Sequence, residues 1–255
     1  MSRTNGHLLL CCSLAVTIAG TAHADVYPRP VIARPLTLPA NVASLGADAG
    51  GNHDLSAVSA APIAGYGITD KLEVQVPYAF AVHDLEARGS VAVDAGYAVV
   101  RGAFDGKLEV IERIRVGYDA LASSAMPLQI GLHAQYNVKP WLAIISGTPG
   151  SEQLRISLTN NVDMMKPIDI GLPLGVGVQP SETVYLQLDT KLVQVGLSES
   201  ETLVVVRDIV PLALTVVWNV LPVLDVQAAV ATDLRNAPAD ALAFLVGARF
   251  YAGRL

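Results

Sequence analysis

Met126-Pro127-Leu128-Gln129-Ile130-Gly131-Leu132-His133-Ala134-Gln135-Tyr136 decides how this chain folds. The even positions Met126, Leu128, Ile130, Leu132, Ala134 and Tyr136 are apolar or aromatic. Between them stand Gln129, Gly131, His133 and Gln135. A repeat of two puts unlike side chains on opposite faces of an extended chain, which a helical repeat cannot do. The same alternation sets Leu72, Val74, Val76, Tyr78 and Phe80 against Glu73, Gln75, Pro77 and Ala79. It recurs in Ile168, Ile170, Leu172, Leu174, Val176 and Val178, against Asp169, Gly171, Pro173, Gly175 and Gly177. These are β-strands with one apolar and one polar or small-residue face.

Turn residues punctuate the pattern in two interleaved sets. One set is Thr69-Asp70-Lys71, Asp105-Gly106-Lys107, Asn137 to Pro140, Gln179 to Glu182 and Asn219 to Pro222. The other falls at 50–54, 83–89, 121–125, 160–166, 196–201 and 235–240. Two sets of turns describe a meander with two ends. The predicted strands are 39–49, 56–67, 72–81, 90–101, 108–120, 126–137, 140–159, 167–178, 183–195, 202–218, 223–234 and 241–252. Many two-faced strands of about ten residues predict an all-β chain, a transmembrane up-and-down antiparallel β-barrel of roughly 10–14 strands, with twelve the central count. Thr148-Pro149-Gly150 is a place where the long seventh segment can split. Ile209 to Leu224 carries one charge-free apolar run up to its end, but Pro211, Asn219 and Pro222 interrupt it. It reads as strand, turn and strand rather than as a membrane helix.

The N-terminus reads as a secretory signal over residues 1–24: Arg3, an apolar run from Leu8 to Ala19, then Ala22-His23-Ala24 before Asp25. Residues 25–37, with Pro28, Pro30 and Pro35, form an extended leader that hangs in the periplasm or tucks into the lumen. The barrel occupies 38–255. Both cysteines, Cys11 and Cys12, fall in the signal, so the mature chain has no thiol chemistry. The formal net charge of −6 argues against a nucleic-acid partner. Charged residues make up 16% of the chain, against about a quarter in ordinary soluble proteins. That weighs against the soluble alternative, a secreted β-sandwich or lipid-binding barrel with its apolar rows turned inward.

The chain resembles the bacterial outer-membrane β-barrel class, in a porin- or transporter-like form. Tyr66-Gly67-Ile68-Thr69-Asp70-Lys71-Leu72-Glu73-Val74 is similar to a hairpin that recurs there. The last strand, Leu242 to Phe250, is similar to the C-terminal insertion signal of the class, although the chain runs on to Gly253-Arg254-Leu255. The resemblance implies location in the outer membrane of a Gram-negative cell after signal removal. It also implies outer-membrane lipid and the barrel-assembly machinery as partners. Tyr78, Phe80, Tyr97, Tyr118, Tyr136, Trp218 and Phe250 lie on apolar rows as candidate interface anchors.

If the apolar rows face lipid, the opposite rows line a lumen. They carry Glu73, Asp94, Glu109, Asp119, Asp169, Asp189, Asp225 and Asp233, and with them Arg113, Arg115, Arg155, Lys191, Arg207, Arg235 and Arg249. His133 joins them by parity. Opposite charges in a narrow barrel are expected to pair, because an unpaired buried charge is costly. Small residues such as Gly131, Gly171, Gly175 and Gly177 leave free volume. Glu112 and Asp208 fall on apolar rows, at a bulge or near a strand end. His133 stands without a recognisable nucleophile, and the pairs His53-Asp54 and His83-Asp84 supply too few metal ligands. No cofactor and no enzyme are expected. The expected role is a small passive channel or transporter for polar or amphipathic small solutes. The alternative is a structural or interaction barrel with a closed lumen.

Overall fold

A computed structural model describes residues 28–83, 86–120, 124–147, 154–156, 168–197, 204–206, 210–235 and 241–253. Among these residues the chain winds through twelve antiparallel strands that close into one barrel. The strands are β1 (Ala43–Asn52), β2 (Ala57–Thr69), β3 (Leu72–His83), β4 (Glu86–Gly102), β5 (Leu108–Asp119) and β6 (Leu128–Lys139, with Ser124–Ala125 ahead of it). Then come β7 (Leu142–Ser146 and Leu154–Ile156), β8 (Ile168–Ser181), β9 (Val184–Leu197), β10 (Val204–Val206 and Pro211–Leu221), β11 (Leu224–Asp233) and β12 (Ala243–Ala252). Each strand pairs with the next, and β12 pairs with β1, from Ala43↔Ala252 to Asn52↔Ala243. Among the described residues each of the twelve strands is paired on both sides along part of its length, so the wall has no free edge strand, as a chain in lipid requires.

The segment from Ile209 to Leu224 is a strand, a turn and the start of another strand, since β10 ends at Leu221 and β11 begins at Leu224. The seventh strand is in two pieces, and Thr148-Pro149-Gly150 lies outside the described residues. No described helix is long and apolar enough to cross a membrane.

The apolar rows point outward. Leu132, Leu172, Val176, Leu188, Leu214 and Val246 are all exposed on the outer surface. Their neighbours Gly131, His133, Pro173, Gly175 and Gly177 are buried inside. A soluble barrel would have the reverse arrangement, so that alternative is overturned. Two aromatic girdles rim the apolar surface. Tyr66, Tyr97, Tyr136, Trp141 and Trp218 stand near the tight turns, and Tyr78, Phe80, Tyr118 and Phe244 near the opposite, loop end. An amphipathic ring suits the boundary between lipid and water. Glu112 also points outward, in register with Tyr97 and Leu132. The bulge of the β4–β5 pair lies elsewhere, at Ala98/Val100, so Glu112 keeps its outer phase close to the strand's start. Asp208 lies outside the described residues.

Before β1 the chain crosses the tight-turn mouth of the barrel. Val31–Ala33 form one 3-10 turn, and residues 34–42 run on through bends and a turn at Ala40–Asn41 to β1. Ile32 packs with Ala143, Ile145 and Tyr185, while Leu38 and Val42 pack with Tyr251. These contacts are the buried apolar clusters of the described residues. They form between leader and inner wall because the wall's own apolar rows are turned to lipid. At Gly67 the Pro39 carbonyl comes so near that a Cβ could not fit, and the Gly67 N–H donates to the Val42 carbonyl at 2.9 Å.

Candidate functional site

The inner wall divides by height. Its tight-turn half holds three charge clusters, each tied to the leader. In the first, Glu73 and Asp94 are 1% exposed and Arg113 is 2% exposed. Arg113 donates to Glu73 Oε1 at 2.6 Å and to Asp94 Oδ1 at 3.0 Å. Arg115 takes the other Asp94 oxygen at 2.7 Å. Glu73 Oε2 then accepts the leader N–H of Leu38 at 2.8 Å. The cluster is electrically balanced, two acids against two bases, as burial demands.

In the second cluster the leader itself supplies the cation. Arg34 forms an ion pair with Asp225 and stacks over the Tyr251 ring at 5.6 Å. Asn219 donates to Asp225 Oδ1 at 2.9 Å and accepts from Arg29 at 2.9 Å. The third cluster pairs Arg101 with Glu109 at 3.0 Å, and Glu109 accepts the Leu36 N–H at 3.1 Å. Two glutamines complete the seating. Gln179 accepts from Ile32 N at 3.1 Å, and Gln135 donates to the Ile32 carbonyl at 2.8 Å.

The other half of the lumen is open and largely apolar. A cavity of about 530 Å³ extends from Val31 of the leader towards the loop end. Ile63, Pro77, Met126, Val217 and Leu245 supply its apolar wall, and Asp48, Arg115, Asp189 and Arg249 its charges. A second cavity of about 250 Å³ lies between leader and wall beside Glu73, Arg113 and His133. A third, about 220 Å³, is on the far side of the leader, near Arg101, Lys107 and Glu109. The leader therefore forms a floor between the main lumen and the tight-turn mouth.

Glycines keep the main cavity open. Asp48 lies across Gly247, Asp189 across Gly175, Tyr185 across Gly177 and Arg249 across Gly46. Long side chains can lie flat on the wall only where the neighbouring strand has no Cβ in the way.

The remaining expected lumen residues are placed as follows. Asp119 is buried at the loop end of β5. Asp233 Oδ1 accepts Val210 N at 2.9 Å and Arg235 N at 3.0 Å, so it caps a loop. Lys191 is half-buried in β9, in register with Pro173. Arg155 and Asp169 are register partners on β7 and β8, but their side chains lie outside what is described, as does all of Arg207. Among the described residues no group of three or more His, Cys, Asp or Glu is placed to hold a metal ion. Asp54 accepts Ser56 N at 3.0 Å, and the hydrogen bonds from Ser56 hold its carboxyl below the usual range. Asp84 lies outside the described residues.

Parity alone reaches Gln135, Gln179, Tyr185, Gln187, Asn219, Gln227 and Tyr251, which share the inner rows. Arg34 lies in a segment with no alternation. Its basic charge in an otherwise uncharged stretch, Pro30 to Pro39, is the one local signal.

No family model matches the chain, and no curated protein matches it either. Solved structures of the same fold do. The chain is similar to the NanC porin at 9% identity, covering 83% of this chain and all of that one, with a TM-score of 0.55. It is similar to the KdgM porin, solved in complex with disordered oligogalacturonate, at 9% identity over 81% and 98% of the two chains, TM-score 0.54. An outer membrane channel from Pseudomonas putida F1 gives 12% identity over 84% and 97%, TM-score 0.53. The fold is thus that of porin-like outer-membrane barrels.

Proposed function

We propose that this protein is a passive outer-membrane channel for small polar or amphipathic solutes. The observation that carries the reading is the main luminal cavity of about 530 Å³, lined by nine of the twelve strands and floored by the leader. A barrel built only as a scaffold has no need of glycines that flatten the charged side chains against its wall. Twelve strands give an interior wider than an eight-stranded barrel filled with side chains and narrower than a sixteen-stranded porin. Porin-like relatives of the fold, one of them holding an oligogalacturonate, support a solute in the lumen.

The tight-turn end, where both ends of the barrel chain meet, faces the periplasm, as in bacterial barrels with an even strand count. Residues 1–24 direct export and are removed, and the strand ending in Phe250 and Tyr251 engages the assembly machinery. Glu73, Asp94, Glu109, Arg113, Arg115, Asp119, His133, Arg155, Asp169, Asp189, Lys191, Arg207, Asp225, Asp233 and Arg249 line the pathway. Those tied to the leader make its constriction, and the others its vestibule. Paired charges make it weakly selective.

A second reading, a barrel with a closed lumen, is favoured by the floor that the leader makes. Planar-bilayer recording separates the two. The channel reading expects small, weakly selective steps from the purified chain. Absence of current from the full chain and from a variant lacking residues 28–37 overturns it.

A further inference from the structure

Arg249 and Asp225 stand directly opposite each other on β12 and β11. Cross-strand neighbours of opposite charge on one face of a sheet ordinarily pair. Here they do not. Asp225 is taken by Arg34 of the leader and by Asn219. On its other side Arg249 faces Gly46, which has no side chain to offer. Among the described residues it is the one luminal arginine to which the structure gives neither a hydrogen bond nor an ion pair. It is half-buried and borders both the large and the intermediate cavity.

A guanidinium with five unused donors, half out of water, is a ready partner for a planar carboxylate. The other charges of the large cavity are already engaged. Asp48 accepts Gln227 Nε2 at 2.7 Å, Asp189 accepts Gln187 Nε2 at 2.8 Å, and Arg115 shares Asp94 with Arg113. The rest of the wall carries no charge: apolar side chains predominate, with Gln75, Ser90, Thr215 and Gln227 among them. Such a cavity complements a molecule with one anionic head and a hydrocarbon body. The two carboxylates on the wall would repel a second negative charge, so a dianion is disfavoured.

We propose that the luminal cavity binds a small amphipathic monocarboxylate, its carboxylate on Arg249 and its apolar body against Ile63, Pro77, Met126, Val217 and Leu245. The seated leader creates the site by withdrawing Asp225 from Arg249. This deepens the channel reading and rests on it, since it names the class of solute that the lumen admits. The leader is then both floor and switch. With it seated, Arg249 is free for a ligand. With it withdrawn, Arg249 closes on Asp225 and the positive centre is neutralised.

The test is calorimetric titration of the full chain in lipid nanodiscs, corrected against empty nanodiscs. The probes are 3-phenylpropionate, 3-phenylpropanamide and 3-phenylpropylamine. Saturable binding is expected for the acid, and none for the amide or the amine. Arg249→Gln should weaken binding by about tenfold or more, the worth of a charge-assisted hydrogen bond. Arg34→Gln should weaken it too, because Asp225 returns to Arg249. The double variant Arg34→Gln/Asp225→Asn should restore it, because Arg249 is again free. Heat-modifiable gel migration verifies that each variant is folded. Equal binding of acid and amide, or unchanged binding by Arg249→Gln, overturns the site. A double variant as weak as Arg34→Gln overturns the switch. Binding without conductance would sink the channel reading and leave the site standing, and conductance without binding would do the opposite.

Discussion

Arg113 grips two carboxylates at once, Glu73 on β3 and Asp94 on β4, in a place almost closed to solvent. Breaking a buried pair by removing one partner leaves an uncompensated charge, which costs about 3–5 kcal/mol. Here one substitution would strand Glu73, leave Asp94 to Arg115 alone and loosen the Leu38 anchor on Glu73. Arg113→Met should therefore lower the urea midpoint of the folded barrel sharply. Arg115→Met, whose side chain is 22% exposed and only shares Asp94, should lower it far less. Gel-shift unfolding curves in detergent micelles or vesicles measure both. The difference between these neighbouring arginines is one of height and burial. Their shared parity cannot tell them apart.

At the level of the strand, each residue's face decides its cost. Leu172 is 51% exposed on the outer row of β8, while Gly171 next to it faces the lumen. An arginine at the bilayer midplane costs about 2–4 kcal/mol. Leu172→Arg should thus reduce folding yield into vesicles and stability by that amount, as read by urea titration. Gly171→Arg should leave insertion largely intact and reduce conductance by bulk. Equal stability of the two variants would overturn the assignment of faces. The alternation of β3, β6 and β8 makes this contrast legible without coordinates. The start of the barrel is harder to read. β1 and β2 are rich in Ala, Gly and Ser, and their faces differ little in polarity. Asp48 is consequently not legible from the sequence as a luminal residue. Its inward position follows from pairing with β12, where it meets Gly247.

For the molecule as a whole, the leader is the element on which the proposed passage of solutes turns. It is held by Glu73, Glu109, Gln135, Gln179, Asn219 and Asp225, side chains of six different strands. Removing residues 28–37 should enlarge single-channel conductance and flatten its voltage dependence, since the cavity would then open to the tight-turn mouth. Unchanged conductance would mean that ions already pass beside the leader. The deletion should also cost stability, because it exposes the apolar patch of Ala143, Ile145 and Tyr185 inside the barrel and removes Arg34 from the Tyr251 ring. A fall in the thermal midpoint of the gel shift would show it.

Alternation and turn spacing in the amino-acid sequence determined the strands, their inward and outward faces and the closed twelve-stranded wall, because a period of two is a local property of an extended chain. Lipid on one side and a lumen on the other make that period visible in composition. What only the tertiary structure decided is which charges meet and where the leader lies. Arg34 reaches Asp225 across 191 residues, and Ile32 reaches Gln179 across 147. Such partners are brought together by closure of the barrel. A proline-rich stretch without alternation carries no face to read, so its place depends on the hydrogen bonds the finished wall offers it. The freedom of Arg249 has the same origin: its neighbour Asp225 is in plain register with it, and only the seated leader takes that neighbour away.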